Sequence, residues 1–166
     1  MYGSPIASAG IIYVDKIAET GNCYWVSPWH VNAWRYARDD CYLSFAELLI
    51  IDSENERRIV REVLVQNLDI YNRLTDVLWV GISRDYYSYV WSTVEDELLD
   101  EGFAPWAVGR PSGHQYRTCG SIRKYDVHYY DDFCFSDIYD TRYYSELHST
   151  HFVCKKRVVS ELLRYT

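Results

Sequence analysis

The positions of five cysteines constrain the fold of this 166-residue chain more than any other feature of its sequence. They are Cys23, Cys41, Cys119, Cys134 and Cys154. No C-x-x-C pair is present and the spacings fit no zinc ribbon, which disfavours a zinc site. Two interpretations remain open: disulfide bonds in an oxidising, extracytoplasmic compartment, or thiols buried in the apolar core of a cytosolic protein.

The charge of the chain argues against a nucleic-acid partner, and its hydropathy argues against a membrane span. The formal net charge is -7 and the sequence pI is about 5.2, with no long run of Lys or Arg, whereas nucleic-acid-binding proteins present a dominant basic surface. No apolar run reaches the roughly 18 to 20 residues that span a bilayer. We therefore expect no nucleic-acid partner and no membrane span. Residues 1–20 also lack the basic and apolar regions of a secretory signal, so we expect that any leader has been removed.

Two helices are predicted in the first half of the chain. Ser27 followed by Pro28 indicates the start of a helix that runs to Cys41. Ser53 and Glu56 form a capping box that indicates the start of a second helix. Each helix has one apolar face, formed by Trp34, Ala37 and Cys41 in the first and by Ile59, Val60, Val63 and Leu64 in the second.

The second half of the chain favours strands and one long loop. Residues 77–82, 89–91 and 151–154 are short runs of β-branched, aromatic and apolar residues. Residues 95–116 contain several glycines and prolines, so no regular element is expected there. Without an internal repeat or a linker, these elements predict a single α+β domain.

Several sequence motifs occur in the order and at the spacing of one protein family. The two predicted helices carry Trp34-x-x-Ala37-x-x-x-Cys41 and Leu48-x-x-Ile51-x-Ser53-x-x-Glu56. The motifs that follow are Trp79-Val80-Gly81-Ile82, Tyr89-Val90-Trp91, Phe103-x-x-Trp106-x-x-Gly109-x-Pro111, Cys119-Gly120-Ser121-Ile122, Asp131-x-x-Cys134 and Phe152-Val153-Cys154. With these motifs the chain resembles the C-type lectin-like domain family over residues 22–156.

The resemblance implies a fold and its boundaries. The fold is α+β, with two helices packed on a small antiparallel strand system and a long irregular loop region. Residues 22–156 form the domain, residues 1–21 an N-terminal extension and residues 157–166 a C-terminal extension. The resemblance also implies disulfide bonds between Cys41 and Cys154 and between Cys119 and Cys134, and with them an extracellular or secreted protein.

Cys23 is left over in this scheme. In longer family members the corresponding cysteine pairs with another one upstream, where this chain has Ile11, Ile12 and Tyr13. We therefore expect Cys23 to be unpaired, to link two chains into a homo- or heterodimer, or to pack as a buried thiol.

The calcium-binding motifs of the family are altered in this chain. Sugar-binding members hold calcium with a Glu-Pro-Asn or Gln-Pro-Asp triplet, a Glu two residues before the next cysteine and the Asn-Asp of a Trp-Asn-Asp motif. Here these positions read Arg110-Pro111-Ser112, Arg117 and Tyr129-Tyr130-Asp131. Calcium needs about six to eight oxygen ligands and a guanidinium offers no lone pair, so we expect no calcium and no other cofactor. Each arginine instead either pairs with Asp131 or Asp132, or binds an anionic group of a ligand.

A ligand is expected on the face formed by residues 95–116 and 129–132, because loops on a rigid scaffold carry most binding residues. The predicted contact residues are Trp106, Arg110, Ser112, Arg117, Tyr129, Tyr130, Asp131 and Asp132. Amphipathic tyrosine rings suit the recognition of proteins and sugars. Tyrosines crowd the segments near the loops, at Tyr86, Tyr87, Tyr89, Tyr125, Tyr129, Tyr130, Tyr139, Tyr143 and Tyr144.

These features predict a recognition module and not an enzyme, since the sequence has no Gly-x-Ser-x-Gly elbow, no glycine-rich phosphate loop and no paired-carboxylate signature. We expect it to bind a protein or a glycan without calcium. One alternative is a carbohydrate-binding lectin that uses aromatic stacking, or a calcium site within residues 95–101. Another is a structural or adhesive matrix protein, which the tyrosine content supports.

Overall fold

The structure, a computed structural model, describes residues 14–15, 21–66, 68–99, 102–135 and 150–157. Tyr139, Tyr143, Tyr144 and most of both predicted extensions lie outside these residues. The helices in the described ranges are α1 (Trp34–Leu43), α2 (Glu54–Gln66) and α3 (Leu68–Arg73). The strands there are β1 (Val14–Asp15), β2 (Asn22–Val26), β3 (Glu47–Leu48), β4 (Val77–Arg84), β5 (Trp91–Thr93), β6 (Cys119–Arg123), β7 (Tyr129–Asp132) and β8 (His151–Arg157).

The strands form one sheet in the order β1-β2-β8-β4-β6-β7, with β3 paired to β8 and β5 paired to β4. Among the described strands, β4 and β8 pair in parallel and the other pairs are antiparallel. With its helices early and its strands late, the chain has the α+β arrangement that the sequence predicts. No helix in the described ranges combines the length and apolarity needed to cross a bilayer.

Two apolar clusters hold the helices to the sheet. The predicted apolar stripe of α2 is buried in the larger cluster, and the predicted face of α1 is buried in the smaller one. Gly81 lies where β4 passes close to the end of β3. A Cβ atom at this position would lie 2.5 Å from the carbonyl oxygen of Leu48, so only glycine fits.

The first helix begins later than predicted. It starts at Trp34, with Ala33 as its N-cap, and not at Pro28. Ser27 is engaged elsewhere: its N–H donates to the Phe152 carbonyl at 2.9 Å, and its hydroxyl accepts the Phe152 N–H at 3.0 Å. The capping signal in the sequence is therefore overridden, because Ser27 continues the pairing of β2 with β8.

The second helix begins as its capping box predicts. The Glu56 N–H donates to the Ser53 hydroxyl at 3.0 Å. The Glu56 carboxylate reaches back further than the box requires and accepts the Asp52 N–H at 2.7 Å. It also accepts the Tyr24 hydroxyl at 2.5 Å. Glu56 therefore caps α2 and at the same time ties it to β2 from a buried position.

The strand expected at residues 89–91 is displaced. β5 begins at Trp91, while Tyr89 and Val90 precede it in a loop. Within this loop the Ser88 hydroxyl accepts the Val90 N–H at 3.1 Å. Such local bonds replace the bonds of a strand ladder, so Tyr89 projects into solvent.

Both disulfide bonds implied by the family resemblance are present. Cys41–Cys154 joins α1 to β8, and Cys119–Cys134 joins β6 to the residues that follow β7. Cys23 is only 3% exposed on β2. A thiol at this depth does not reach a second molecule, so the structure does not support the expected Cys23-linked dimer and favours the buried-thiol alternative.

Candidate functional site

The long loop is tied to β7 through a buried aspartate. Asp131 accepts hydrogen bonds from Arg110 Nη1 at 3.0 Å and from the Ser112 N–H at 2.9 Å on one oxygen, and from the Ser112 hydroxyl on the other. We call these three residues the Asp131 cluster. Burial raises the pKa of Asp131, but the bonds from Ser112 and Arg110 outweigh burial and hold that pKa below its usual value.

The neighbouring aspartate belongs to a different group of residues. Asp132 accepts hydrogen bonds from Arg123 Nη1 at 2.8 Å and from the Ser121 hydroxyl, both on β6. Successive residues of a strand point to opposite faces of the sheet, so Asp131 and Asp132 meet different partners. Asp132 is therefore not available to either arginine of the long loop.

Arg110 and Arg117, for which the sequence predicts the same role, have different surroundings in the structure. Arg110 forms the expected ion pair with Asp131, whereas no described residue forms an ion pair or a side-chain hydrogen bond with Arg117. The guanidinium carbon of Arg117 lies 5.2 Å from the ring centroid of Phe133. Its Nε–H is buried and lacks a hydrogen-bond acceptor. The salt-bridge expectation thus describes Arg110 but not Arg117.

Most of the aromatic residues predicted to contact a ligand pack beneath the site instead. Tyr129 is completely buried, and its hydroxyl accepts the Ile51 N–H at 2.8 Å. Trp106 packs edge-on against Tyr129, with ring centroids 5.8 Å apart. Tyr130 lies beneath Arg110, 5.2 Å from its guanidinium carbon. The structure therefore gives Tyr129 no contact area for a ligand, and Asp131 and Asp132 are likewise buried.

An exposed group of tyrosines stands beside the long loop. We call Tyr86, Tyr87, Tyr89 and Tyr116 the tyrosine platform; Tyr87 and Tyr89 are 90% and 80% exposed. The ring of Tyr86 contacts those of Tyr87 and Tyr116, with centroids 5.0 and 5.7 Å apart. Gln115 Nε2 donates to the Tyr86 hydroxyl at 2.6 Å. These contacts join the loop after β4 to the end of the long loop in one surface.

A buried arginine fixes the base of the platform. Arg84, the last residue of β4, donates to the carbonyls of Asp85 and Ser88 on one side, at 3.3 and 3.1 Å. It also donates to the carbonyls of His114 and Gln115 on the other side, at 2.9 and 3.0 Å. Its side chain thus holds the two loop segments together, which pre-organises the surface above them.

Sequence reasoning noted Tyr86, Tyr87 and Tyr89 near the loops but did not place Tyr116 or Arg84 with them. One signal was available: Arg84 follows the apolar residues of β4, and an arginine at such a position needs several acceptors. The acceptors are carbonyls, which carry no residue-specific mark in a sequence. The grouping is therefore visible only in the fold.

The acidic residues proposed as an alternative calcium site have different surroundings: Glu95 is engaged, Asp96 and Glu97 are exposed, and the other two are not described. Asp100 and Glu101 are not described, and Glu95 accepts a hydrogen bond from Arg157 at 3.4 Å. In the part of the chain that the structure describes, no three His, Cys, Asp or Glu side chains are grouped so that they could hold a metal ion.

A groove of about 650 Å³ lies at a different place, between α1, β3 and β8. Tyr42 and Phe45 line it and are largely exposed. Glu47 also lines it; burial, together with a hydrogen bond and repulsion from Glu95, raises the pKa of Glu47 to about 7. None of the residues predicted to bind a ligand lies in this groove.

Comparison with known proteins gives the fold of C-type lectin-like domains. No family model matches the chain. Its curated relatives include human asialoglycoprotein receptor 2, 28% identical over 127 residues, and rat asialoglycoprotein receptor 1, 29% identical over 127 residues. These matches cover 73% of this chain but only 37% and 40% of the two relatives, so the chain spans well under half of their length.

Solved structures have the same fold. The carbohydrate-recognition domain of the mouse scavenger receptor C-type lectin matches with a TM-score of 0.64 at 17% identity, over 87% of this chain and 92% of that one. A calcium-independent type II antifreeze protein matches with a TM-score of 0.59 at 17% identity, over 87% of this chain and 90% of that one. These matches confirm the resemblance to the C-type lectin-like domain family and the predicted fold class, and they are consistent with a divergent member of that family.

Proposed function

We propose that this domain is an extracellular recognition module that binds a glycan or a protein without calcium and without catalysing a reaction. The observation that carries the proposal is the Asp131 cluster. Where sugar-binding members are expected to offer oxygen ligands to a metal ion, Arg110 and Ser112 occupy both carboxylate oxygens of Asp131. The ion pair takes the place of the metal in tying the loop to β7.

The tyrosine platform is the contact surface we propose beside this loop. A tyrosine presents a large apolar ring and a polar hydroxyl at a small cost in conformational entropy, which suits ligand contacts. Tyr87 and Tyr89 are highly exposed, and Arg84 holds the segments below them. An exposed aromatic group on a fixed base supports recognition better than the buried Tyr129 does.

The relatives and the disulfide bonds support the same proposal. The asialoglycoprotein receptors and the scavenger receptor C-type lectin are named as receptors or carbohydrate-recognition domains. The antifreeze protein is named as calcium-independent, so the fold accommodates that property. Two intramolecular disulfide bonds favour an oxidising, extracellular location.

Calcium is expected to leave the melting temperature unchanged within about 1 °C when about 5 mM calcium chloride replaces EDTA, because the Asp131 carboxylate is already neutralised. A site filled to about 100 times its dissociation constant would instead stabilise the fold by about 2.7 kcal/mol. Thermal melting followed by near-ultraviolet circular dichroism is the measurement. A calcium-dependent rise that disappears in Asp131→Asn would contradict the proposal.

Replacing Tyr87 or Tyr89 by alanine is expected to weaken ligand binding by about 2 kcal/mol, or close to 30-fold, if either ring is an interface hot spot. Binding is measured on an array of glycans and extracellular proteins in the presence of EDTA. Tyr42→Ala is the matched control, since Tyr42 is also highly exposed but lies in the groove beside α1. Loss of binding in Tyr42→Ala alone would move the site to that groove.

A further inference from the structure

We propose that Arg117 forms a subsite for a sulfate or carboxylate substituent of a glycan bound across the tyrosine platform. This inference rests on the proposed function and deepens it, since it names the chemical class of the ligand. Its basis is the arrangement of charges around the long loop, together with the rings that connect Arg117 to the platform.

The arginines that lie around Asp131 and Asp132 form ion pairs with described residues, and Arg117 is the exception. Asp131 is occupied by Arg110 and Ser112, and Asp132 is occupied by Arg123. Both aspartates are buried. If either one turned toward a further cation, its present arginine would be left without a counter-ion. Arg117 is thus the cation of this loop for which the described residues provide no counter-ion.

The guanidinium of Arg117 packs against an aromatic ring and has no anion beside it among the described residues. It stacks over Phe133 at 5.2 Å, and its buried Nε–H has no acceptor. Buried donors in native proteins nearly always have an acceptor, so an unsatisfied one requires an explanation. A ligand cannot reach this buried Nε–H, but an anion at the outer nitrogens would supply the counter-charge that the guanidinium lacks among the described residues.

Arg117 is connected to the tyrosine platform by adjacent rings. The His114 ring contacts Phe133 and Tyr116, with centroids 5.4 and 6.0 Å apart. Tyr116 in turn contacts Tyr86 of the platform. A ligand that lies on Tyr116 and extends across His114 and Phe133 would therefore meet the guanidinium.

The chemistry of these groups favours an acidic glycan. A guanidinium is a planar group of donors that matches the oxygens of a sulfate or a carboxylate. Beside it, tyrosine rings with hydroxyl edges and the Gln115 amide offer apolar faces and polar groups together, as the apolar and hydroxyl faces of a sugar require.

The test compares matched oligosaccharides: a neutral lactosamine, the same sugar with one sulfate, and the same sugar with one sialic acid. Two peptides, one with sulfotyrosine and one with tyrosine, test the protein alternative. Binding is measured by calorimetry with EDTA present. The wild-type protein is expected to bind both acidic sugars about tenfold or more tightly than the neutral one, as a charge-assisted hydrogen-bond pair predicts.

Arg117→Gln is expected to abolish this preference while leaving affinity for the neutral sugar within about twofold. Arg117→Lys keeps the charge but loses the planar donors, so it should retain part of the preference. Arg58→Gln, which changes an exposed arginine of α2, is the control for net charge and should behave as wild type. Arg117→Gln is expected to melt close to wild type, because its guanidinium makes no hydrogen bond to the described residues.

Several results would overturn the inference. Equal affinity for acidic and neutral sugars would do so, as would a preference that persists in Arg117→Gln. Arg117-dependent binding of the sulfated peptide alone would assign a protein ligand instead of a glycan. If binding of a neutral sugar depends on Tyr87 and Tyr89 but not on charge, the proposed function stands and only this inference fails. Absence of binding to every probe would overturn the glycan assignment, while the melting experiment with calcium tests the proposed function separately.

Discussion

Replacing both Cys41 and Cys154 by alanine is expected to lower the free energy of unfolding by about 4 to 5 kcal/mol. The two cysteines are 113 residues apart in sequence, so their bond removes a large loop-closure entropy from the unfolded chain. It also lies in the apolar cluster that fixes α1 to the sheet. Guanidinium denaturation of the oxidised protein is the measurement.

The second disulfide bond provides the matched control. Cys119 and Cys134 are 15 residues apart, so their removal should cost only about 3 kcal/mol in the same model. A loss from the Cys41 and Cys154 double variant that is no greater than this would contradict the entropic account. Peptide mapping under non-reducing conditions checks the two connectivities independently.

Lys155→Met is expected to destabilise the protein by about 3 to 5 kcal/mol, because it leaves a buried carboxylate without its cation. Lys155 is completely buried on β8 and donates to the Ile50 carbonyl at 2.8 Å. Its Nζ also lies 2.9 Å from Glu56 Oε2 and 2.9 Å from Asp52 Oδ2. Glu56 is itself only 3% exposed, so water cannot replace the lost ammonium group.

A second substitution distinguishes loss of packing from loss of charge compensation. Lys155→Met combined with Glu56→Gln removes both charges, so it should recover a large part of the stability that Lys155→Met loses. Lys156→Met, one position along β8, is the control for a methionine in this strand and is expected to cost less than about 1 kcal/mol. If the double variant is as unstable as the sum of its single variants, the unpaired carboxylate is not the cause.

These two predictions bear on function because they concern the scaffold behind the site. The long disulfide bond and Lys155 both anchor β8, and β8 pairs with β4. The last residue of β4 is Arg84, which holds the base of the tyrosine platform. Destabilisation of β8 is therefore expected to weaken β4 as well, and through β4 the base of the platform.

Local sequence patterns succeeded where short-range bonds decide the structure. Ser53 and Glu56 marked the start of α2, because a capping box is closed by residues three positions apart. The helical stripes were correct for the same reason, since a period near 3.6 residues dictates which side chains face the sheet. Ser27 failed as a cap because Phe152, 125 residues away, competes for the same groups.

The candidate site was predictable only in part. The arginines at positions 110 and 117 predict that calcium ligands of the family are replaced, since guanidinium groups offer no lone pair. Their pairing was not predictable: the sequence allowed either arginine to meet either aspartate. The structure joins Arg110 to Asp131 and leaves Arg117 beside Phe133.

The sequence by itself gave the resemblance to the C-type lectin-like domain family, the two disulfide bonds that this resemblance implies and the arginines at the expected calcium positions, because each depends on residue identity and order along the chain. The tertiary structure alone decided which charges are paired and which aromatic rings reach solvent. Successive side chains of β7 point to opposite faces of the sheet, so Asp131 and Asp132 have different partners. The carbonyls around Arg84 come from segments about 30 residues apart. Contacts of this kind depend on the distance between atoms in the folded chain, which no local pattern of residues encodes.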